Sequence, residues 1–128
     1  MTKRKPKRVN NKDMGRMATY RDEFFNTNDT CYGEWASHIF ATNLYIVYSY
    51  GRHFPIYIWD DEALCWYGNS SKYSRTTTRH QTQARPTPHH GDIIWVDLDR
   101  MLDIINSGGT VNFVARRMEE VPAVPLTY

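Results

Sequence analysis

The chain of 128 residues is long enough for one domain and leaves little room for a second. Its hydrophobic content of 41% and aromatic content of 14% supply a core, which argues against a disordered chain. Two isolated cysteines without CxxC spacing argue against a disulfide-stapled secreted domain. The basic start leads into no apolar run, so the pattern predicts no signal peptide, no membrane span and a cytoplasmic protein.

Charge is divided unevenly along the chain. Residues 1–16 hold seven basic side chains and one acidic one, whereas the remainder holds nine basic and thirteen acidic ones. We therefore expect residues 1–16 to form a disordered basic tail that attracts phosphate backbones without sequence preference. An acidic protein surface or a purely solubilising role would suit the same tail. Its predicted nucleic-acid contacts are Lys3, Arg4, Lys5, Lys7 and Arg8.

Two short helices are predicted in the first third of the chain. Apolar positions from Met14 to Phe25 fit the first helix, and residues 26–30 (NTNDT) are typical of a turn. The second helix is predicted over residues 32–40. It rests on the helical spacing of Trp35, Ala36, Ile39 and Phe40.

Three strands are predicted next. Residues 43–50 (NLYIVYSY) place Leu44, Ile46, Tyr48 and Tyr50 on one face of a strand. Tyr45, Val47 and Ser49 fall on the other face. A turn at 51–53 leads to a strand over 54–59, and a turn at 60–62 leads to a strand over 63–67. The tight turns predict an antiparallel meander over residues 43–67.

The chain from Gly68 to Asp92 is polar, and regular patterns resume after it. Residues 93–96 (IIWV) predict a strand, and Asp97 is placed to cap a helix that runs to Ile105 and stops at Gly108–Gly109. A last strand is predicted over 110–115. The sum is a single α+β domain over residues 17–120, with two or three short helices on one face of a small antiparallel sheet. A proline-containing tail over 121–128 follows.

Within the polar stretch, residues 69–85 concentrate hydroxyl, amide, guanidinium and imidazole groups. A helix that began near Ser74 would bring these groups beside its free N–H groups, as in a phosphate cradle. The three consecutive threonines leave helix and loop open. The predicted ligand-binding residues are Lys72, Ser74, Thr76, Thr77, Arg79, His80 and Gln83. The competing interpretation is a solvated connection or a protein-contact surface.

Two motifs in this region carry a resemblance to a known family. Residues 48–56 match YSYGxHFPI, and residues 72–83 match KYSxTTxxHxxQ. This combination resembles a group of small proteins from phages and mobile elements, and the resemblance covers about residues 43–86. It implies a virus-encoded accessory protein that acts on nucleic acid or neutralises a host defence enzyme. It implies no particular mechanism.

Catalytic signatures are weak. The sequence contains no HExxH, GxSxG, Walker A or GxGxxG motif and no Cys/His pair at zinc spacing. His53 and His80 lie in the two motifs, and with Asp60 or Asp61 nearby they would suit a small hydrolase or nuclease. The competing interpretation takes His53 as a turn residue and His80 as an exposed polar residue. No cofactor and no metal are predicted.

The leading expectation is a non-catalytic phage-type accessory protein of the host cytoplasm. It would bind nucleic acid or another phosphate-bearing ligand through residues 69–85 and the basic tail. The alternative is a protein-binding inhibitor of a host defence enzyme, anti-CRISPR-like or otherwise anti-defence, in which the acidic domain mimics nucleic acid. The histidine-dependent hydrolase is the third possibility. The oligomeric state stays open.

Overall fold

The computed structural model describes residues 6–36, 43–72, 74–88 and 91–108. In these ranges seven strands form one sheet in sequence order. The strands are β1 (Lys7–Val9), β2 (Phe24–Asn26), β3 (Cys31–Trp35), β4 (Leu44–Ser49), β5 (Pro55–Asp60), β6 (Cys65–Asn69) and β7 (Ile94–Val96). The helices are α1 (Met14–Thr19), α2 (Arg75–Gln83) and α3 (Leu98–Ser107), and a 3-10 turn at Asn11–Asp13 precedes α1.

The sheet is mixed. Strands β2 to β6 pair antiparallel, which confirms the meander predicted over residues 43–67. At the two edges β1 runs parallel to β2 and β7 runs parallel to β6. A parallel pair needs a crossover connection, and α1 and α2 occupy these two connections. The predicted α+β class is therefore confirmed, with parallel pairs at the edges that the pattern did not indicate.

Strand β4 is buried on both faces, and the predicted face assignment is confirmed within it. The assignment of Tyr50 to the Leu44 face is wrong, because Tyr50 lies beyond the strand with φ 62° and its ring lies beside that of His80. Tyr45 and Val47 pack with residues of α1 and the end of α2, whereas Leu44 and Ile46 pack with residues of α3. The helices thus cover both faces of the sheet, and the prediction that they share one face is wrong. The physical reason is β4 itself, because a strand with apolar side chains on both faces needs cover on each.

The first predicted helix is shorter than expected and the second is absent. Helix α1 ends at Thr19, and Arg21 adopts a left-handed conformation with φ 54° that turns the chain into β2. Residues 31–35 form β3 between β2 and β4, so the helix predicted there is wrong over these residues. Pairing on both sides outweighs the helical spacing of a few apolar positions. Residues 37–42 lie outside the described ranges.

Residues 7–16, expected in a disordered tail, are part of the fold. Strand β1 pairs with β2, and Met14 is fully buried in the core. At the other end, α3 forms as predicted. The Asp97 side chain accepts a hydrogen bond from the Arg100 N–H at 2.8 Å, and Gly108 ends the helix in a left-handed conformation. The strand predicted over 110–115 and the tail over 121–128 lie outside the described residues.

Candidate functional site

Helix α2 forms in the polar segment, which resolves the choice between helix and loop. Ser74 is its N-cap, and the Ser74 Oγ accepts a hydrogen bond from the Thr77 N–H at 3.1 Å. The Thr78 N–H donates to the Ser74 carbonyl at 3.0 Å. The hydroxyl that the sequence assigned to a ligand is therefore engaged in starting the helix.

Two predicted ligand residues, Thr77 and His80, face the sheet. Both side chains are buried. The His80 Nδ1 lies 2.7 Å from the Ser49 Oγ, and the Ser49 hydroxyl also donates to the Thr77 Oγ1 at 3.3 Å. On the other side of the ring, the His80 Nε2 lies 3.4 Å from the Thr30 Oγ1. These groups satisfy one another inside the protein, so they do not present a surface to a ligand.

Burial controls the protonation of this histidine. Burial removes the imidazole from water, which disfavours its charged form and lowers the pKa of His80 below its usual value of 6.5. The neighbouring positive charge of Arg79 lowers this pKa further. The ring is therefore neutral at neutral pH, with one nitrogen as donor and the other as acceptor. Asn26 extends the network, because its Nδ2 donates to the Thr30 Oγ1 at 3.0 Å.

Gln81, which the sequence did not assign to the site, joins α2 to the chain that precedes it. The Gln81 Nε2 donates to the carbonyls of Asn69 and Ser71, and the Gln81 Oε1 accepts from the Lys72 Nζ at 3.1 Å. The predicted ligand residue Lys72 is therefore held by the protein. One signal could have revealed this role: the buried positions 77, 80, 81 and 84 repeat at i, i+3, i+4 and i+7, but most are polar.

The outer face of α2 is basic. Arg75 and Arg79 are exposed one turn apart, and Arg85 is exposed just beyond the helix. Of the other predicted residues, Thr76 is half-buried. Gln83 is also half-buried, and its Oε1 makes no hydrogen bond to the described part of the chain. Of the two predicted ligand cations, Lys72 is held by Gln81, and Arg79 is exposed on the outer face of α2.

Further cations lie beside α2 on the same side of the sheet. Gly15 of α1 approaches the carbonyls of Gln83 and Arg85 so closely that an added Cβ would stand 3.0 and 2.9 Å from their oxygens. The exposed side chains of Lys12 and Arg16 therefore belong to the same helical layer. We call this surface the basic layer. It comprises Lys12, Arg16, Arg75, Arg79 and Arg85.

The helices on the two faces of the sheet carry different charges. Asp13 pairs loosely with Arg16, at 3.8 Å, within the basic layer. Helix α3 covers the other side of the sheet and exposes Asp97, Asp99 and Asp103 together with Arg100. The exposed side chains of the helices on the two faces therefore differ in charge: those of α1 and α2 are mainly basic, and those of α3 are mainly acidic.

The predicted basic tail is divided by the structure. Lys7 and Arg8 are exposed on β1, where the Arg8 guanidinium lies over the Phe25 ring at 5.2 Å from its centroid. Lys3, Arg4 and Lys5 lie outside the described residues, as do the paired histidines His89 and His90.

The arrangement does not assemble the catalytic group considered from the sequence. His53 is exposed in the turn before β5, whereas Asp60 ends that strand, roughly 17 Å further along it. The expectation that Asp60 or Asp61 lies near His53 is wrong, because an extended strand separates them. The Asp60 Oδ1 instead accepts from the N–H groups of Glu62 and Ala63 in the next turn. Within the described ranges, no three His, Cys, Asp or Glu side chains cluster as metal ligands would.

Comparison with known proteins adds no assignment. No protein-family model, no curated protein and no solved structure matches this chain. Among the helices described, none has the length and apolar character needed to cross a bilayer.

Proposed function

We propose that the protein is a non-catalytic accessory protein of the phage type that binds nucleic acid through its basic layer. The observation that carries the proposal is the concentration of exposed cations on one side of the sheet. Arginine suits this role because its planar guanidinium pairs with phosphate oxygens in a bidentate manner. The phage origin rests on the sequence resemblance alone.

The proposed contact surface is the exposed outer face of α2, whereas the set predicted from the sequence also included residues of its buried inner face. Arg79 stays in the predicted contact set, and Arg75 and Arg85 join it. Thr77 and His80 leave the set because they are buried against Ser49. Lys7 and Arg8 extend the cationic surface at β1, and Lys3, Arg4 and Lys5 add charge ahead of it. Such contacts neutralise phosphates without reading bases, so binding should weaken steeply with salt.

The test compares two double variants of equal net charge. Arg75→Gln with Arg79→Gln removes two cations from the basic layer, whereas Arg52→Gln with Arg100→Gln removes two cations elsewhere. Arg52 is an exposed partner of Glu34, so its loss costs little stability. Fluorescence anisotropy of a labelled 20-mer oligonucleotide is measured from low to physiological salt.

We expect the first variant to bind at least about tenfold more weakly, with a salt slope reduced by about two, and the second to bind as the wild type does. Equal losses in both variants would contradict a localised surface. A chain that begins at residue 6 separates the contribution of residues 1–5. If that truncation alone abolishes binding, the tail carries the activity and the basic layer does not.

A second candidate function is inhibition of a host enzyme that itself binds nucleic acid. The exposed carboxylates of Asp97, Asp99 and Asp103 favour it, because a row of negative charge on α3 would suit a cationic channel. Absence of nucleic-acid binding, together with one stoichiometric partner whose capture is lost in an Asp99→Asn, Asp103→Asn variant, would support this function over the first.

A further inference from the structure

A groove lies between α1 and the segment that follows α2. It has a volume of about 430 Å³ and is lined by Gly15, Arg16, Thr19, Tyr20, Arg85 and Thr87. The Thr19 hydroxyl makes a hydrogen bond within α1 and a second one that joins the two walls. The Thr19 hydroxyl donates to the Gly15 carbonyl at 2.7 Å and accepts from the Thr87 N–H at 2.9 Å. The groove is therefore part of the folded structure and joins the two halves of the basic layer.

An exposed aromatic ring stands in this groove. Tyr20 is 63% exposed, which is unusual for a large ring beside a packed helix. Arg16 and Arg85 line the groove with it, so a flat π surface lies beside two cationic residues. Beyond the groove the Arg85 guanidinium lies over the ring of Trp95, 5.4 Å from its centroid, and Trp95 is 44% exposed.

Aromatic rings between cations are the arrangement that binds unpaired bases. Each base offers a π face to stack on a ring, while arginines hold the phosphates on either side. A duplex supplies phosphates to the arginines but no π face to Tyr20, because its bases are stacked inside the helix. The concave site thus favours a strand whose bases can turn outward.

We infer that the ligand of the basic layer is a single-stranded nucleic acid and that one unpaired base stacks on Tyr20. This inference rests on the proposed function and names its substrate class. Arg16 and Arg85 contact the phosphates that flank the stacked base. Arg75 and Arg79 continue the phosphate path along α2.

The experiment measures the affinity of the full chain for three labelled probes: a 15-residue oligo-thymidine, a 15-residue oligo-uridine and a 15-base-pair duplex. Three variants are compared with the wild type. Tyr20→Ala removes the ring, Tyr20→Leu keeps apolar bulk without a π face, and Tyr20→Phe keeps the ring. Because Tyr20 is exposed, none of these changes should prevent folding, and unfolding curves verify it.

We expect the wild type to bind at least one single-stranded probe more tightly than the duplex. Tyr20→Ala and Tyr20→Leu should lose about tenfold on that probe and little on the duplex, and Tyr20→Phe should bind as the wild type does. The two single-stranded probes report whether DNA or RNA is preferred.

Two negative outcomes are distinguishable. If duplex and single strand bind equally and Tyr20→Ala has no effect, while the Arg75→Gln, Arg79→Gln variant still weakens binding, the inference fails and the proposed function stands. If no probe binds at low salt, both fail.

Discussion

The imidazole of His80 and the hydroxyl of Ser49 share a buried hydrogen bond, with 2.7 Å between Nδ1 and Oγ. One residue lies on α2 and the other ends the central strand β4, so the bond fixes the helix on the sheet. The ring of Tyr50 lies beside the imidazole, with 5.7 Å between centroids. Of the motif residues predicted to bind a ligand, Thr77 and His80 are therefore engaged in holding α2 on the sheet.

Replacement of this histidine should destabilise the whole domain. His80→Ala leaves Ser49 and Thr30 without a shared partner and opens a cavity, so we expect a loss of about 3 kcal/mol in the free energy of unfolding. Urea denaturation measures it. His53→Ala, in an exposed turn, is the control and should change stability by no more than about 0.5 kcal/mol. Equal effects of the two changes would mean that the buried network contributes nothing.

Stability should depend on pH through the same residue. The pKa of His80 is below 6.5 in the folded protein, so the unfolded chain binds more protons when the pH falls through this region. Its contribution to stability is therefore complete above about pH 6.5 and is lost as the pH falls towards the folded-state pKa. Unfolding free energies from pH 7.5 to 5 should show this loss. His80→Gln should flatten the curve, and an unchanged slope would assign the effect to other groups.

Two variants of Ser74 distinguish its role as a helix cap from a role in ligand binding. Ser74→Ala removes the acceptor for the Thr77 N–H and should cost about 1 kcal/mol of stability. Ser74→Asp keeps the cap and favours the helix dipole, so stability should be close to that of the wild type. Its added negative charge beside the basic layer should nevertheless weaken oligonucleotide binding in the anisotropy assay. If oligonucleotide affinity falls in Ser74→Ala and stays unchanged in Ser74→Asp, as stability does, the charge beside the basic layer has no effect on binding and the expectation is wrong.

Gly15 should be intolerant of a side chain despite its place in a helix. An alanine there gains about 1 kcal/mol in helix propensity. Its Cβ, however, would stand 2.9 Å from the Arg85 carbonyl oxygen and 3.0 Å from that of Gln83, and backbone atoms cannot rotate away. We expect Gly15→Ala to destabilise the protein by about 1–3 kcal/mol and to weaken oligonucleotide binding, because α1 must shift. Asp103→Ala, at an exposed helical position, is the control. A more stable Gly15→Ala protein would show that the two segments separate easily.

The two cysteines should differ in reactivity. Cys31 is fully buried, and burial raises the pKa of its thiol to about 12. Alkylation proceeds through the thiolate, so iodoacetamide should modify the half-buried Cys65 well before Cys31 in the native protein. Peptide mass spectrometry over time measures both sites, and urea should abolish the difference. Rapid native labelling of Cys31 would indicate frequent opening of the core around it.

Sequence reasoning succeeds where local pattern and tertiary environment agree. The alternation in β4 and the cap of α3 at Asp97 are set by neighbouring residues, and both are confirmed. It fails at β1 and β3, which are short and exist because adjacent strands pair with them. A three-residue strand such as Lys7–Val9 carries no periodic signal of its own.

Only part of the candidate site could be predicted from the sequence. The basic character of α2 can be read from Arg75 and Arg79. The division between its two faces cannot be read from the sequence, because Thr77 and His80 are polar residues. Their hydrogen-bond partners, Ser49 and Thr30, lie some 30 to 50 positions away along the chain. A hydrophobic pattern does not identify a helix whose buried stripe is polar.

The two edge crossovers have a consequence for folding. Helix α1 reaches the sheet from the β1–β2 edge and α2 from the β6–β7 edge, and they meet where Gly15 touches the chain near Arg85. Segments some seventy residues apart must close together before the basic layer exists, so we expect assembly to be slow for a chain of this length. Neither half of the chain carries the surface alone. A strand of nucleic acid lying across it would tie both edges of the sheet together, and would raise the midpoint of global unfolding by an amount that grows with the logarithm of the ligand concentration above Kd.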